Sequence, residues 1–263
     1  MKKLILILAL GLALAACTAE TPVPSTSTPI PPSSTPEPPT STPEPPTSTP
    51  VPPTPTPTPF PAFRDDFTQL VEPGWIWVNE DTFKWNTSVK PGFLRIYLSD
   101  KGELDQVENI LLREAPEGDF EITTRVLFTP YSNFQSAGLL IYQDDQHALK
   151  FSRAMCYLPG LPHCVGNGLY YDNAVMDEGV RTDEGWRADN YATSTVIKSE
   201  AYLRMVREGK TYTAFYSDDG IDWQIIGRHE SDLVPFYVGL VASQAYEQPA
   251  TADFDYFTLE TLP

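Results

Sequence analysis

Three acidic side chains alternate at Glu117, Asp119 and Glu121, so on one strand they would share a face. Glycoside hydrolysis needs two carboxyl groups in one cleft, one as the acid and the other as base or nucleophile. However, Glu117 and Gly118 fit the turn before a strand, which leaves Glu121 as a solvated strand residue. We therefore predict that the chain is not an enzyme, and glycoside hydrolysis is the least favoured alternative.

Histidines and acidic residues are the possible metal ligands of this chain. The chain has three histidines, His147, His163 and His229. No two of them stand at the spacing of a metal site or a catalytic triad. Acidic residues stand near both ends of the region after residue 62, at Asp65, Asp66, Asp253 and Asp255, and the predicted metal ligands among them are Asp66, Asp253 and Asp255. If the first and last strands pair, these carboxylates meet, and calcium prefers such oxygen ligands. The prediction is one structural calcium ion, and the alternative is that the acids only cap strand ends.

Aromatic and hydrogen-bonding side chains are frequent around residues 153–191, with Tyr142 on a neighbouring strand. Sugar binding on a β-sheet needs an exposed aromatic ring for the C–H face of a pyranose and polar side chains for its hydroxyls. The predicted ligand-binding residues are Tyr142, Arg153, Tyr170, Tyr171, Asp172, Trp186, Arg187 and Asn190. The alternative is that aromatic rings fill a core, and we expect this for Trp75, Trp77 and Trp223.

A close pair of cysteines, Cys156 and Cys164, flanks a short turn. Outside the cytoplasm such a pair forms a disulfide, which stabilises the turn by roughly 2 to 3 kcal/mol. Zinc binding is disfavoured because only His163 stands nearby. A disulfide here favours a binding site in the loop region that it makes rigid.

The N-terminus has the features of a signal peptide. Lys2 and Lys3 precede an apolar run, from Leu4 to Ala16, that is too short to span a bilayer as a mature helix. The run ends in Leu14-Ala15-Ala16-Cys17, which resembles the lipobox of bacterial lipoproteins. The resemblance implies a signal peptide at residues 1–16, cleavage before Cys17 and lipid on its thiol. An ordinary signal peptide with a chance cysteine is the alternative. We expect an extracytoplasmic protein anchored to the cell membrane.

Residues 18–61 consist almost entirely of Pro, Thr and Ser. Closely spaced prolines favour an extended polyproline II chain, with a rise of about 3.1 Å per residue, and the composition offers nothing to build a core. Residues 17–62 are therefore predicted to be the lipidated cysteine and a disordered stalk. The stalk holds a domain of residues 63–263 away from the membrane.

After residue 62, apolar and polar side chains alternate in short runs, and turn residues such as Asp218-Asp219-Gly220 separate them. The predicted strands are Phe93–Leu98, Phe120–Val126, Ala137–Tyr142, Ala148–Ser152, Ala201–Val206, Thr211–Ser217, Trp223–Arg228, Tyr237–Ser243 and Ala252–Leu259. Residues 70–88 and 156–197 do not fit this pattern, and the second stretch is predicted to be an elaborated loop region. Many short strands with tight turns predict an all-β sandwich of two antiparallel sheets.

An ordered set of short motifs runs through this region. It comprises Phe63-Arg64-Asp65-Asp66-Phe67, Gly74-Trp75-Ile76-Trp77, Pro91-Gly92-Phe93-Leu94, Gly118-Asp119-Phe120-Glu121, Ala137–Tyr142, Tyr202-Leu203-Arg204, Tyr216–Trp223, Gly239–Ala242 and Ala252–Phe257. Over residues 63–260 the set resembles the concanavalin A-like (laminin G-like) jelly-roll domains appended to family 43 β-xylosidases. The resemblance implies a concanavalin A-like jelly roll, but it says little about function, because the fold supports glycan binding, catalysis and structural roles.

The formal net charge of -17 argues against nucleic acid as a partner, because phosphate backbones are bound through Lys and Arg. We predict a cell-surface lipoprotein whose sandwich is a non-catalytic carbohydrate-binding module, with a polysaccharide or glycan as its partner. A protein-binding adhesion or scaffold domain is the first alternative, and it would present a flat apolar patch. The sequence does not indicate an oligomeric state.

Overall fold

The computed structural model describes residues 60–68, 72–160, 164–173, 191–196, 198–245 and 249–263. The predicted signal peptide, Cys17 and the stalk up to residue 59 lie outside these ranges, as do Trp186, Arg187 and Asn190. Within the described ranges, no helix has the length and apolar character needed to cross a membrane.

The described residues form fifteen β-strands and no α-helix. The strands are β1 (Phe63–Asp65), β2 (Ile76–Val78), β3 (Trp85–Asn86), β4 (Leu94–Tyr97), β5 (Ile110–Glu114), β6 (Phe120–Leu127), β7 (Ser136–Asp144), β8 (His147–Cys156), β9 (Gly166–Asn173), β10 (Tyr191–Thr195), β11 (Glu200–Glu208), β12 (Thr211–Ser217), β13 (Gln224–Glu230), β14 (Tyr237–Ser243) and β15 (Thr251–Thr261).

These strands form two antiparallel sheets. The eight-stranded sheet has the order β13-β12-β11-β6-β15-β4-β3, with β1 also paired to β15. The seven-stranded sheet has the order β10-β9-β8-β7-β14-β5-β2. The predicted all-β sandwich of two antiparallel sheets is confirmed, and so is the pairing of the first and last strands.

The main core lies between the sheets and follows from the alternation along each strand. On β6 the inward side chains include Phe120, Ile122 and Val126, all fully buried, whereas Glu121 and Arg125 point to the outer face. Each large apolar side chain buried in this way contributes about 1.5 to 3 kcal/mol. The alternation therefore fixes which side chains of the eight-stranded sheet meet solvent.

The outer face of the seven-stranded sheet is partly covered. Ile110 and Leu112 of β5 point away from the main core and pack with Val107, Leu140 and Val241 in a second apolar cluster. Because side chains on both faces of β5 are buried, this strand is a continuous apolar run instead of an alternating one. This coverage removes much of the seven-stranded sheet from the surface available to a ligand.

A buried carboxylate orders the start of the domain. Asp65, at the end of β1, accepts hydrogen bonds from the backbone N–H groups of Phe67 and Glu72, both at 2.8 Å, and from the indole N–H of Trp75 at 2.9 Å. Trp75 packs edge-on against Phe257 of β15, with ring centroids 5.0 Å apart. The first turn of the domain is thereby attached to its last strand.

Two strands occupy part of the stretch that we predicted to be loop, since β9 and β10 lie within residues 156–197. Cys156 pairs with Gly166 at one end of the β8–β9 ladder, and Asn173 pairs with Leu149 at the other end. The Cys156–Cys164 disulfide is present. It closes the β8–β9 turn, at the opposite end of these strands from Asn173.

Candidate functional site

Three of the predicted ligand-binding side chains are buried, which corrects their assignment. The exposed fractions of Arg153, Tyr170 and Tyr171 are 0%, 2% and 0%. Arg153 and Tyr171 lie on the inward side of β8 and β9, the side that also carries Phe151, and Tyr170 packs on the opposite side with Ala154. None of the three can meet a saccharide at the surface.

Hydrogen bonds explain why polar groups are tolerated at these buried positions. Arg153 donates to the backbone carbonyls of Lys198 at 3.0 Å and Gly168 at 2.9 Å, and its burial lowers its pKa to about 10. The hydroxyl of Tyr171 donates to the carbonyl of Tyr212 at 3.1 Å. These side chains connect strands inside the sandwich.

The structure does not bring the remaining predicted residues together. Tyr142 is half-buried near the end of β7, where its hydroxyl donates to Asp145 at 2.6 Å and burial raises its pKa. Asp172 lies on β9, opposite Tyr191 of β10, and the structure describes only its backbone. Trp186, Arg187 and Asn190 are outside the described residues altogether.

The three aspartates predicted to bind calcium each face a basic side chain. Asp66 pairs with Arg64 at 2.5 Å, and Asp255 pairs with Arg125 at 2.8 Å. Asp253 accepts hydrogen bonds from Arg95, at 2.6 and 2.8 Å, and from Lys90 at 3.2 Å. In the described ranges no group of three or more His, Cys, Asp or Glu side chains is arranged to hold a metal. These ion pairs account for the carboxylates, and a structural calcium ion stays a prediction.

The alternating acids of the sequence do not line up on one strand. Glu117 lies outside β6, and Asp119 precedes the strand and accepts a hydrogen bond from the backbone N–H of Gly209 at 2.7 Å. Glu121 lies on the outer face, directly across from Glu260 of β15. Burial raises the pKa of Glu121, attraction to Arg204 lowers it, and repulsion from Glu260 raises it further.

A cleft opens where the eight-stranded sheet ends, close to the disulfide turn. It has a volume of about 370 Å³. We call it the Tyr131 cleft, and its lining residues are Leu127, Phe128, Thr129, Tyr131, Ser199, Pro249, Ala250 and Thr251. They come from the end of β6, the residue before β11 and the start of β15, so three loops from neighbouring strands form its walls.

Tyr131 presents an exposed aromatic ring at this cleft, and its position is fixed at several points. The side chain is 56% exposed, and its hydroxyl donates to the carbonyl of Pro249 at 2.6 Å. The backbone N–H of Tyr131 donates to the side-chain oxygen of buried Gln135 at 2.9 Å. Gln135 donates in turn to the side chain of buried Gln244 at 3.0 Å. An exposed ring held in this way matches the requirement for stacking on a sugar face.

The disulfide turn supports the same loop. Asn133 accepts a hydrogen bond from the backbone N–H of Tyr157 at 2.6 Å and donates to the carbonyl of Tyr157 at 3.2 Å. Tyr157 follows Cys156 directly. The disulfide turn is therefore linked to the loop that carries Tyr131, and it also contacts Tyr170 of β9, whose buried hydroxyl donates to the carbonyl of Cys156 at 3.2 Å.

Polar groups surround the cleft. Thr251 pairs with Tyr97 of β4, whose side chain is 39% exposed. Leu127 pairs with Glu200 on one side and Asp253 on the other, so both carboxylates lie on strands beside the cleft. Glu200 is paired with Arg125, and Asp253 is paired with Arg95 and Lys90. The groups that can hydrogen-bond to sugar hydroxyls in the cleft are therefore the hydroxyls of Thr129, Ser199 and Thr251, beside the ring of Tyr131.

Sequence reasoning missed Tyr131 because it stands outside the alternating runs, in the connection between β6 and β7. The available signal was a tyrosine among Pro130, Ser132 and Asn133, a composition typical of a surface loop. For the tryptophans, Trp75 and Trp77 pack against the core as expected, but the expectation for Trp223 was wrong. Trp223 lies on the outer face, with its ring 4.3 Å from the guanidinium of Arg204.

Comparison with known proteins agrees with this architecture. Residues 64–260 match the family described as the β-xylosidase C-terminal concanavalin A-like domain. A provisionally assigned β-xylosidase of Escherichia coli (strain K12) is 24% identical over 189 residues, which are 66% of this chain and 33% of the relative.

Two solved structures share the fold. The GH43 protein BlXynB from Bacillus licheniformis has a TM-score of 0.63 at 19% identity, covering 76% of this chain and 39% of that chain. The VIP36 exoplasmic/lumenal domain, in its Ca²⁺/Man3GlcNAc-bound form, has a TM-score of 0.51 at 10% identity, covering 76% of this chain and 91% of that chain. This chain spans about a third of the length of the curated relative. With the match over residues 64–260, the chain belongs to the family of β-xylosidase C-terminal concanavalin A-like domains.

Proposed function

We propose that residues 63–263 are a non-catalytic carbohydrate-binding module and that the Tyr131 cleft binds the saccharide. The single observation that carries the proposal is the ring of Tyr131, which is exposed, fixed by a hydrogen bond to Pro249 and bordered by Ser199 and Thr251. Saccharide sites combine an aromatic platform with a few placed polar groups. A platform that is already ordered loses little entropy when a sugar binds.

The relatives support this proposal at the level of the fold. A domain of the same architecture, that of VIP36, has been solved with Man3GlcNAc bound, and the family takes its name from xylosidases. The family match corresponds to a domain that follows the remainder of a β-xylosidase. We infer from this that the domain recognises saccharide and does not cleave it.

The same proposal includes a place at the cell surface. The Lys2-Lys3 pair, the apolar run and Cys17 support a lipid anchor, and the proline-rich stalk would hold the module away from the membrane. An anchored binding module would retain polysaccharide beside the cell.

Isothermal titration of the full-length protein in detergent, with xylo- and gluco-oligosaccharides, tests the function. We expect Tyr131→Ala to weaken binding about tenfold, by analogy with the stacking of a nucleic-acid base on one aromatic ring, which is worth about 1 to 3 kcal/mol. Tyr157→Ala is the matched control, because this tyrosine is 66% exposed at the same end of the sandwich and does not line the cleft. The proposal fails if no oligosaccharide binds, or if both variants lose affinity equally.

A further inference from the structure

The outer face of the eight-stranded sheet carries an arginine whose environment differs from that of its neighbours. The guanidinium of Arg204, on β11, lies 4.3 Å from the ring centroid of Trp223 and 4.7 Å from that of Phe215. Its Nε atom is buried and has no hydrogen-bond partner. The cation is thus stacked on aromatic rings while its donors remain unused.

Other arginines on this face have acceptors. Arg125 donates to Glu200 and Asp255, Arg95 donates to Asp253, and Arg64 donates to Asp66. For Arg204, the described part of the chain supplies rings and no carboxylate within salt-bridge distance. The buried Nε is closed to a ligand, and the remaining guanidinium N–H groups of Arg204, which are not buried, are the donors that a ligand oxygen could accept from.

The groups around Arg204 favour a neutral ligand with hydroxyl groups. Glu121 lies on the adjacent strand of the same face and is close enough to interact electrostatically with Arg204. Glu260 pairs with Glu121 on the far side. A hydroxyl accepts from the guanidinium and donates to a carboxylate, whereas an anionic ligand would meet two carboxylates and a chain of net charge -17.

We infer that Arg204, Phe215, Trp223 and Glu121, here called the Arg204 platform, form a second subsite for neutral saccharides, so that one polysaccharide chain occupies this platform and the Tyr131 cleft together. The inference rests on the proposed function. Ser199 of the cleft and Arg204 are joined by β11, and at about 3.3 Å per residue they lie roughly 17 Å apart. Two sites linked within one domain bind a polymer more tightly than either site binds a short sugar.

Titration of the full-length protein in detergent tests this inference. With neutral xylo- or gluco-trisaccharides we expect two binding sites in the native protein and one in either Arg204→Ala or Tyr131→Ala. With neutral xylan or glucan we expect each variant to lose affinity about tenfold or more, because the second contact is intramolecular. Arg64→Ala is the matched control, since Arg64 also stacks on a ring, that of Tyr256 at 4.4 Å, but is paired with Asp66.

A folding defect is separated from a binding defect by Arg204→Lys. This variant keeps the charge and loses the planar fork of donors, so we expect an unchanged melting temperature and loss of the second site. One trisaccharide site in native protein, unaffected by Arg204→Ala, would overturn the second subsite alone. Absence of all saccharide binding would instead overturn the proposed function. Tighter binding of trigalacturonate than of neutral trisaccharides, lost in Arg204→Ala, would overturn the preference for neutral sugars.

Discussion

The hydroxyl of Tyr131 donates a hydrogen bond to the carbonyl oxygen of Pro249 across the cleft, over 2.6 Å. Tyr131 follows β6 and Pro249 precedes β15, and these two strands are neighbours in the eight-stranded sheet. The bond joins the two loops while the ring stays more than half exposed. It therefore orders the surface that we propose to contact a sugar.

This bond allows the ring of Tyr131 to be tested separately from its hydroxyl. Tyr131→Phe keeps the aromatic face and removes the link to Pro249, so the ring must be ordered when the ligand binds. Ordering one side chain costs about 0.5 to 1.5 kcal/mol. We expect xylo-oligosaccharide affinity to fall by up to about tenfold in calorimetry, less than in Tyr131→Ala. Equal losses in the two variants would mean that the ring contributes nothing by stacking.

Adjacent aspartates at the start of the domain give a matched pair for stability. Asp65→Ala leaves the buried N–H of Phe67 and the half-buried indole N–H of Trp75 without acceptors, and we expect the free energy of unfolding to fall by about 3 kcal/mol. Asp66→Ala removes only an exposed pair with Arg64, and we expect a change within about 0.5 kcal/mol. Urea denaturation of both variants gives the comparison, and similar losses would contradict the role given to Asp65.

Most of the strands in the eight-stranded sheet could be predicted because its outer face is solvated. The range Thr211–Ser217 was predicted with the bounds that the structure has, and β6 and β11 differ from their predicted ranges by one or two residues at an end. On this sheet the outward side chains are mostly polar and many of them meet water, so apolar and polar residues alternate along its strands. The strands β5 and β9 were missed because their sequences do not alternate.

The site could not be predicted in the same way, because burial of polar residues depends on which face is covered. Tyr170 and Tyr171 are consecutive on β9 and point to opposite faces, yet both are buried. Nothing local in the sequence shows that the outer face there is closed. For Arg153 the sequence did contain a signal of burial. Leu149, Phe151 and Arg153 are alternate residues of one strand and share a face, and the first two side chains enter the core.

The disulfide is expected to stabilise the domain and the Tyr131 loop together. Replacing both Cys156 and Cys164 with Ser should lower the free energy of unfolding by about 2 to 3 kcal/mol, because the unfolded chain regains loop entropy. The hydrogen bonds between Asn133 and Tyr157 connect the disulfide turn to the Tyr131 loop. We therefore also expect weaker oligosaccharide binding in the double variant. A reductant should shift the denaturation midpoint of the native protein and leave the double variant unchanged. A shift of the denaturation midpoint in the double variant would show that the reductant acts on something other than this disulfide.

A lipid anchor on Cys17 would determine the cell fraction in which the protein is found. Cys17→Ser removes the thiol that would carry lipid, and we expect the chain to move from the membrane fraction to the soluble extracytoplasmic fraction. Mass spectrometry of the native N-terminal peptide should show an acylated Cys17. Thr18→Ser is a suitable control because it changes the next residue and keeps the thiol. An unmodified Cys17 in membrane-bound protein would contradict the anchor.

Asp253 should make stability depend on pH at the acidic end. Burial by itself raises the pKa of Asp253, but hydrogen bonds from Arg95 and Lys90 outweigh this effect, and the pKa lies below its ordinary value. Because the folded-state pKa is depressed, the stabilisation is complete above the unfolded value of about 4 and is lost as the pH falls through the folded value.

Asp253→Asn isolates this contribution. At pH 7 the variant leaves Arg95 without its charged partner, and we expect it to be about 2 to 3 kcal/mol less stable than the native protein. As the pH falls below about 4 the difference should shrink, because protonated Asp253 no longer attracts Arg95 and Lys90. Urea denaturation of both proteins between pH 7 and pH 2 measures this difference in the free energy of unfolding, and Asp66→Asn is the exposed control. A difference that stays constant over this range would show that Asp253 stabilises the sheet by packing and not by charge.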